Sequence, residues 1–156
     1  MDIKEKEDKT NKNFRGWLNK HEIPYLYIDQ EINTFSVALK KHTIRRPDFI
    51  IFIRNIGWFM VDVEYKRPAV KYAQFQIDLE ETHKYIQFQE NYNIHIWYVF
   101  GSELDHFHTW YWIPVSKVTE STTYKKQYFG VSLKHFAAVT ENHGIGKLLT
   151  EMSKFF

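Results

Sequence analysis

The sequence predicts an α/β fold, a mixed central β-sheet flanked by α-helices in a single domain. Three observations predict it. Short runs rich in β-branched and aromatic residues, Tyr25-Leu26-Tyr27-Ile28, Phe49-Ile50-Ile51-Phe52-Ile53, Ile94 to Phe100 and Phe107 to Ile113, have the length and composition of strands. Stretches with apolar residues at helical spacing alternate with them. A chain of 156 residues is also long enough to bury one core without a metal or disulfide staple.

From the amino terminus, residues 1–9 read as a charged flexible tail and residues 10–156 as the folded domain. Thr10 is a candidate cap for a helix to about His21, with Phe14, Trp17 and Leu18 on its buried stripe, and Pro24 stops it. Tyr25–Ile28 is the first strand, and Phe35 to Lys40 a short element of either type. Phe49–Ile53 and Trp58-Phe59-Met60-Val61 form two strands joined tightly at Asn55-Ile56-Gly57. Pro68 breaks the second, and a long helical pattern over about Val70 to Glu90 carries the stripe Tyr72, Phe75, Leu79 and Ile86. Two buried strands follow, with Gly101 to Asp105 turning between them. A last helix starts near Val139 or Lys147, its start blurred by Gly144 and Gly146. The sequence contains no internal repeat, low-complexity segment or linker.

The most informative feature is Arg46-Pro47-Asp48 followed by Asp62-Val63-Glu64-Tyr65-Lys66. A hairpin folded about Ile56 sets Asp48 opposite Glu64, where directly opposed β-carbons stand about 5 Å apart. Strand alternation sends Asp62, Glu64 and Lys66 to one face and Val61, Val63 and Tyr65 to the other. Lining up acids on a half-buried strand costs repulsion and desolvation unless a cation or a wet cleft compensates. The plainer alternative is a hairpin with one solvated face whose charges pair among themselves.

Pro47-Asp48 with Glu64-Tyr65-Lys66 resembles the signature of the PD-(D/E)xK nucleases, and the order of elements over residues 11–100 is similar to theirs. In layout the chain looks most like archaeal Holliday-junction resolvases and VRR-NUC domains. The resemblance implies a restriction-endonuclease-like fold and a deoxyribonuclease, an endonuclease, that hydrolyses phosphodiester bonds. It implies Asp48, Glu64 and the backbone carbonyl of Tyr65 as ligands of Mg²⁺ or Mn²⁺, with Lys66 in the catalytic position and Asp62 as a further candidate ligand. Hard divalent cations prefer oxygen donors of this kind, and an ammonium there orients the attacking water or stabilises the transition state. The family usually adds an acid from the first helix. Here Asn11 and Asn13 stand in the corresponding places, leaving Glu5, Glu7, Asp8, Glu31 and Asp62 as candidates for that carboxylate.

Lys40, Lys41, His42, Arg45 and Arg46 lead into Asp48, and Arg67 and Lys71 follow Lys66, so candidate phosphate contacts flank the acids at both ends. Gln74, Gln76 and Asp78 fall near the motif end of the long helical pattern, with Gln74 and Asn11 as auxiliary candidates. His106 and His108 share strand parity but lack a third ligand nearby for zinc. The aromatic content of 18% fits a core better than a base-stacking surface.

Absence of cysteine excludes disulfides, thiolate metal sites and cysteine nucleophiles. With no signal-peptide pattern and no membrane-length apolar run, a cytoplasmic protein is expected. A net charge of +2 places any electropositive groove in local clusters. The expected partner is nucleic acid, DNA above all, with a homodimer implied by the small resolvases. A non-catalytic nucleic-acid-binding module on the same fold, or a protein-interaction domain with a coincidental motif, are the competing readings.

Overall fold

A computed structural model of the chain describes residues 1–42, 46–67, 73–103, 106–124 and 127–156. Helix α1 runs Ile3–Lys20, far ahead of the expected start at Thr10. The Asp2 side chain accepts the N–H of Glu5 while the Glu5 carboxylate accepts the N–H of Asp2, and this reciprocal cap satisfies the first orphan donors of the helix. The charges of residues 1–9 therefore belong to a helix face and not to a frayed tail. Phe14, Trp17 and Leu18 form its buried stripe as expected, and Thr10 is buried with its hydroxyl on the Lys6 carbonyl.

Beyond Pro24 come β1 (Tyr25–Tyr27), a 3₁₀ turn at Ile32–Thr34, α2 (Val37–His42), β2 (Phe49–Ile53) and β3 (Gly57–Tyr65). The β2–β3 hairpin pairs Phe49 with Val61 and Ile53 with Gly57, which continues to Asp48 across from Asp62. The expected partner was Glu64. The reversal centres on Asn55, held at φ 67°, with Gly57 at φ 137°, a backbone region that favours glycine. The slip is two residues, so side-chain parity survives and Asp48, Asp62 and Glu64 still share a face.

Where a helix over Val70 to Glu90 was expected, β4 (Gln74–Asp78) precedes α3 (Leu79–Tyr92). Phe75 and Ile77 are buried and alternate with Gln74, Gln76 and Asp78, a period of two that serves a strand. Asp78 accepts the N–H of Glu81 at 2.7 Å and starts the helix there. Residues 68–72, the beginning of the expected helix, lie outside the described residues. Then follow β5 (Ile96–Gly101), β6 (Thr109–Pro114), α4 (Val115–Val118), β7 (Thr122–Tyr124), β8 (Tyr128–Ser132), β9 (Ala137–Thr140) and α5 (Ile145–Met152). Val139 thus sits in a strand, and the last helix starts between the two expected points.

The main sheet has the order β1-β2-β3-β5-β6-β9, and β3–β5 is its parallel pair. A smaller antiparallel sheet, β4-β8-β7, packs with α3 and α4 on one face. There Tyr98, Phe100 and Ile113 meet Phe75, Ile77, Tyr85 and Val131. On the other face Phe49, Ile51, Val61, Val63, Trp97 and Trp112 lie under α1 and α5, with Phe14 edge-on to Phe49 and Trp110. Of the aromatic residues of β5 and β6, Trp97, Tyr98, Phe100, Trp110 and Trp112 are buried and Tyr111 is partly buried.

Candidate metal centre

β3 outruns β2. Past Val61 it keeps β5 as a partner, with Asp62 beside Tyr98 and Glu64 beside Phe100, and its pairing with β2 stops. Asp48 closes the gap: its Oδ2 accepts the Val63 N–H at 2.8 Å, so a side chain completes the ladder at the mouth of a cleft.

On the face towards α3, one carboxylate oxygen each from Asp62, Glu64 and Glu81 lie within 4.8 Å of one another. Glu81 comes from the first turn of α3, held there by the Asp78 cap. Asp62 is only 6% exposed. Burial, then the charges of Glu64, Asp48 and Glu81, push its carboxyl well above the ordinary range. Its Oδ2 meets no hydrogen-bond donor among the described residues. Burial works against the charge on Glu64 too, yet Lys66, with Nζ 3.1 Å from Glu64 Oε2, and the neighbouring Asp62 hold that carboxyl below its usual value. Tyr85, beneath the acids, has a buried hydroxyl without a partner among the described residues, its pKa raised by burial and by Asp62 and Glu81.

A partly buried, acidic, oxygen-only donor set with an orphaned carboxylate oxygen fits a hard divalent cation and fits a soft one poorly. The acids line a cleft of about 790 Å³ whose opposite wall is α1, through Glu7, Asp8, Asn11, Lys12 and Arg15. The early start of α1 is what brings Glu7 and Asp8 there. Arg46 also lines the cleft. Its guanidinium lies 3.7 Å from the centre of the Phe35 ring and donates to the Glu31 carbonyl and the Thr34 hydroxyl. Arg15 is braced at 5.0 Å by the Tyr27 ring. Both arginines keep a buried Nε–H without an acceptor among the described residues.

Of the residues singled out in the sequence, Asp48, Asp62, Glu64 and Lys66 converge, although Asp48 stands outside the tight oxygen group. Asn11 and Arg46 line the same cleft. Tyr65, the last residue of β3, pairs with Gly101, and its hydroxyl donates to Glu103 at 3.2 Å. Gln74 lies away from the acids, in β4 against Gly130, with Gln76 exposed and Asp78 committed to its cap. Lys40 is exposed on α2, outside the residues that line the cleft, and Arg67 is exposed near Glu103. Arg45 and Lys71 lie outside the described residues, as does the Lys41 side chain. Glu5 is tied to the α1 cap. His108 is paired with Glu141 at 2.8 Å, and among the described residues the two histidines join no three-ligand group. Sequence reasoning missed Glu81, Lys12 and Arg15. The Asp78-x-x-Glu81 spacing of a helix start was the available signal for the first.

The sequence matches no protein-family model and no curated protein. In three dimensions the chain is similar to Hjc, a Holliday junction resolvase from the archaeal hyperthermophile Archaeoglobus fulgidus, with a TM-score of 0.56 at 9% identity over 85% of this chain and 94% of that one. D212, a nuclease from a fusselovirus, aligns over 95% of this chain and 87% of its own with a TM-score of 0.46 and 10% identity. The chain has the restriction-endonuclease-like fold, a mixed central sheet flanked by helices. No helix among the described residues is long and apolar enough to cross a membrane.

Proposed function

We propose that this restriction-endonuclease-like chain is a divalent-metal-dependent nuclease that hydrolyses phosphodiester bonds in DNA by internal cleavage. The observation that carries the reading is the meeting of Asp62, Glu64 and Glu81 beside Asp48 and Lys66 in one cleft. Mg²⁺ or Mn²⁺ would be held by Glu64, Asp62 and Glu81, with Asp48 and the Tyr65 carbonyl as the further ligands the motif implies. When bound, the cation supplies acidification of water and neutralisation of charge on the phosphate oxygens. The chain's own residues do the rest. Lys66, aligned by Glu64 at 3.1 Å, places a fixed positive charge where negative charge develops and orients the attacking water. Asp48, fixed by the Val63 N–H, keeps its carboxylate directed by the backbone. Arg46, Arg15 and Lys12 line the cleft and supply three cations for backbone phosphates. Lys40, Lys41, Arg45, Arg67 and Lys71 extend these contacts along the substrate.

The test is incubation of purified protein with four-way-junction, flapped, single- and double-stranded DNA in Mg²⁺ or Mn²⁺. Cleavage that a chelator stops and Lys66→Ala abolishes supports the reading. Metal-independent cutting, or cutting indifferent to that substitution, rejects it. A two-fold dimer would present two such clefts to one substrate, and light scattering at micromolar concentration reads that mass directly.

A further inference from the structure

We propose that Tyr65 is a positioning residue, whose side chain anchors the end of β3 that carries Glu64 and Lys66. It points to the face opposite the acids and acts on them through the backbone. The proposal rests on the nuclease reading for the reaction served, and on geometry alone for the anchoring. Past Val61 the strand has lost β2, and Tyr65–Gly101 is its last registered pair with β5. Lys66 follows, its N–H on the Gly101 carbonyl at 2.9 Å. A strand end held along one edge opens readily, yet Glu64 and Lys66 have to keep their places relative to a phosphate. A misplacement of about 1 Å costs an enzyme on the order of 10²-fold in rate.

Two elements grip Tyr65 from outside the strand. From the turn after β5, the Phe107 ring stands 6.1 Å from the Tyr65 ring, and Glu103 accepts the Tyr65 hydroxyl at 3.2 Å. From α1, Lys6 Nζ lies 5.2 Å from the centre of the Tyr65 ring and pairs with Glu103 at 3.2 Å. Lys9, one turn further along α1, covers the Phe107 ring at 5.1 Å. The other end of β3 is treated differently: Trp58 is 49% exposed and joins no aromatic pair among the described residues.

The backbone of that turn is the second line of argument. His106 and Phe107 are consecutive non-glycine residues at φ 58° and 64°, a left-handed conformation that is costly for each. What it achieves is visible at Phe107. The N–H returns to the Ser102 carbonyl at 2.9 Å, and the ring, 8% exposed, is turned in against Tyr65. Strain of this kind persists where surrounding contacts hold it, and it gathers at functional sites. Here it serves the residue between Glu64 and Lys66.

The experiment pairs native-state amide exchange of the chelated protein with single-turnover DNA cleavage in Mn²⁺. Tyr65→Ala should speed exchange at the Lys66 amide about tenfold relative to the Val99 amide in the middle of β5. It should lower the cleavage rate about 10–100-fold and change DNA affinity in chelator by less than about twofold. Tyr65→Phe, which keeps the ring, should recover most of the loss on both counts. Phe107→Leu, which shortens the prop and leaves Tyr65 intact, should shift exchange and rate in the same direction by a smaller factor. A Lys66 amide no faster than in wild type, relative to Val99, overturns the proposal. So does faster exchange with an unchanged cleavage rate, or a rate loss matched by an equal loss of DNA affinity. A wild type that cuts no DNA in Mg²⁺ or Mn²⁺ overturns the nuclease reading instead, and the exchange rates then decide the anchoring alone.

Discussion

Along β3 the odd-numbered Phe59, Val61 and Val63 sink under α1 and α5, whereas the even-numbered Asp62 and Glu64 face Glu81 on the other side of the same strand. The odd face is stabilised by burial of apolar area and by ring packing around Phe14. The even face runs against stability: a carboxyl 6% exposed sits among three like charges. One backbone thus carries a stabilising surface and a destabilising one. The second is what a site that must attract a cation requires.

Substitutions can break or sharpen that contrast. On the even face, Lys66→Ala should lower the cleavage rate by about 10²–10⁴-fold in single-turnover kinetics, and should lower the melting temperature of the chelated protein at neutral pH, because Glu64 loses the ammonium that holds its carboxyl below the usual value. On the odd face, Phe14→Ala should cost about 3–5 kcal/mol of stability in urea unfolding, with cleavage per folded molecule retained. Glu81→Gln should weaken Mn²⁺ binding about 10–100-fold by titration calorimetry. Unchanged affinity would remove α3 from the site.

Asp62→Asn should stabilise the chelated protein at neutral pH by about 1–2 kcal/mol. The sign follows from the raised folded-state carboxyl: the native state holds the proton more tightly, so wild-type stability falls as pH climbs from the ordinary value of 3.8 through the raised one. The advantage of the amide variant should therefore vanish in acid, below about pH 4, where wild type is protonated in both states. Smallest is Lys6→Ala, which removes an exposed ion pair with Glu103 and should leave the melting temperature unchanged.

Much of the frame was readable from residues close together in sequence. The turn residues Asn55 and Gly57 announced the β2–β3 hairpin, and parity placed Asp48, Asp62 and Glu64 on one face. The register slipped because the exact turn geometry, Asn55 at φ 67° and Gly57 at φ 137°, is set in three dimensions. The amino-terminal helix was hidden because a run of charges looks alike in a tail and on a solvated helix face. Only the Asp2–Glu5 pair distinguishes them, and it went unread. Phe75 fits a helical stripe when joined to Tyr72 and Leu79, and pairing with β8 decided for a strand. Residues 115–138 carry no expected element, since β7, β8 and β9 are short and owe their pairing to distant partners. Glu81 was invisible for a related reason: nothing near it in sequence says that α3 begins under β3.

The parallel pairing of β3 with β5 obliges the chain to travel out through β4 and return along α3 before the two strands can meet. Glu81 rides on that return path. An incompletely assembled chain, or one whose crossover has come loose, therefore holds a divided set of acids even if the hairpin is intact. The acid set is complete only when the crossover helix is docked against the sheet.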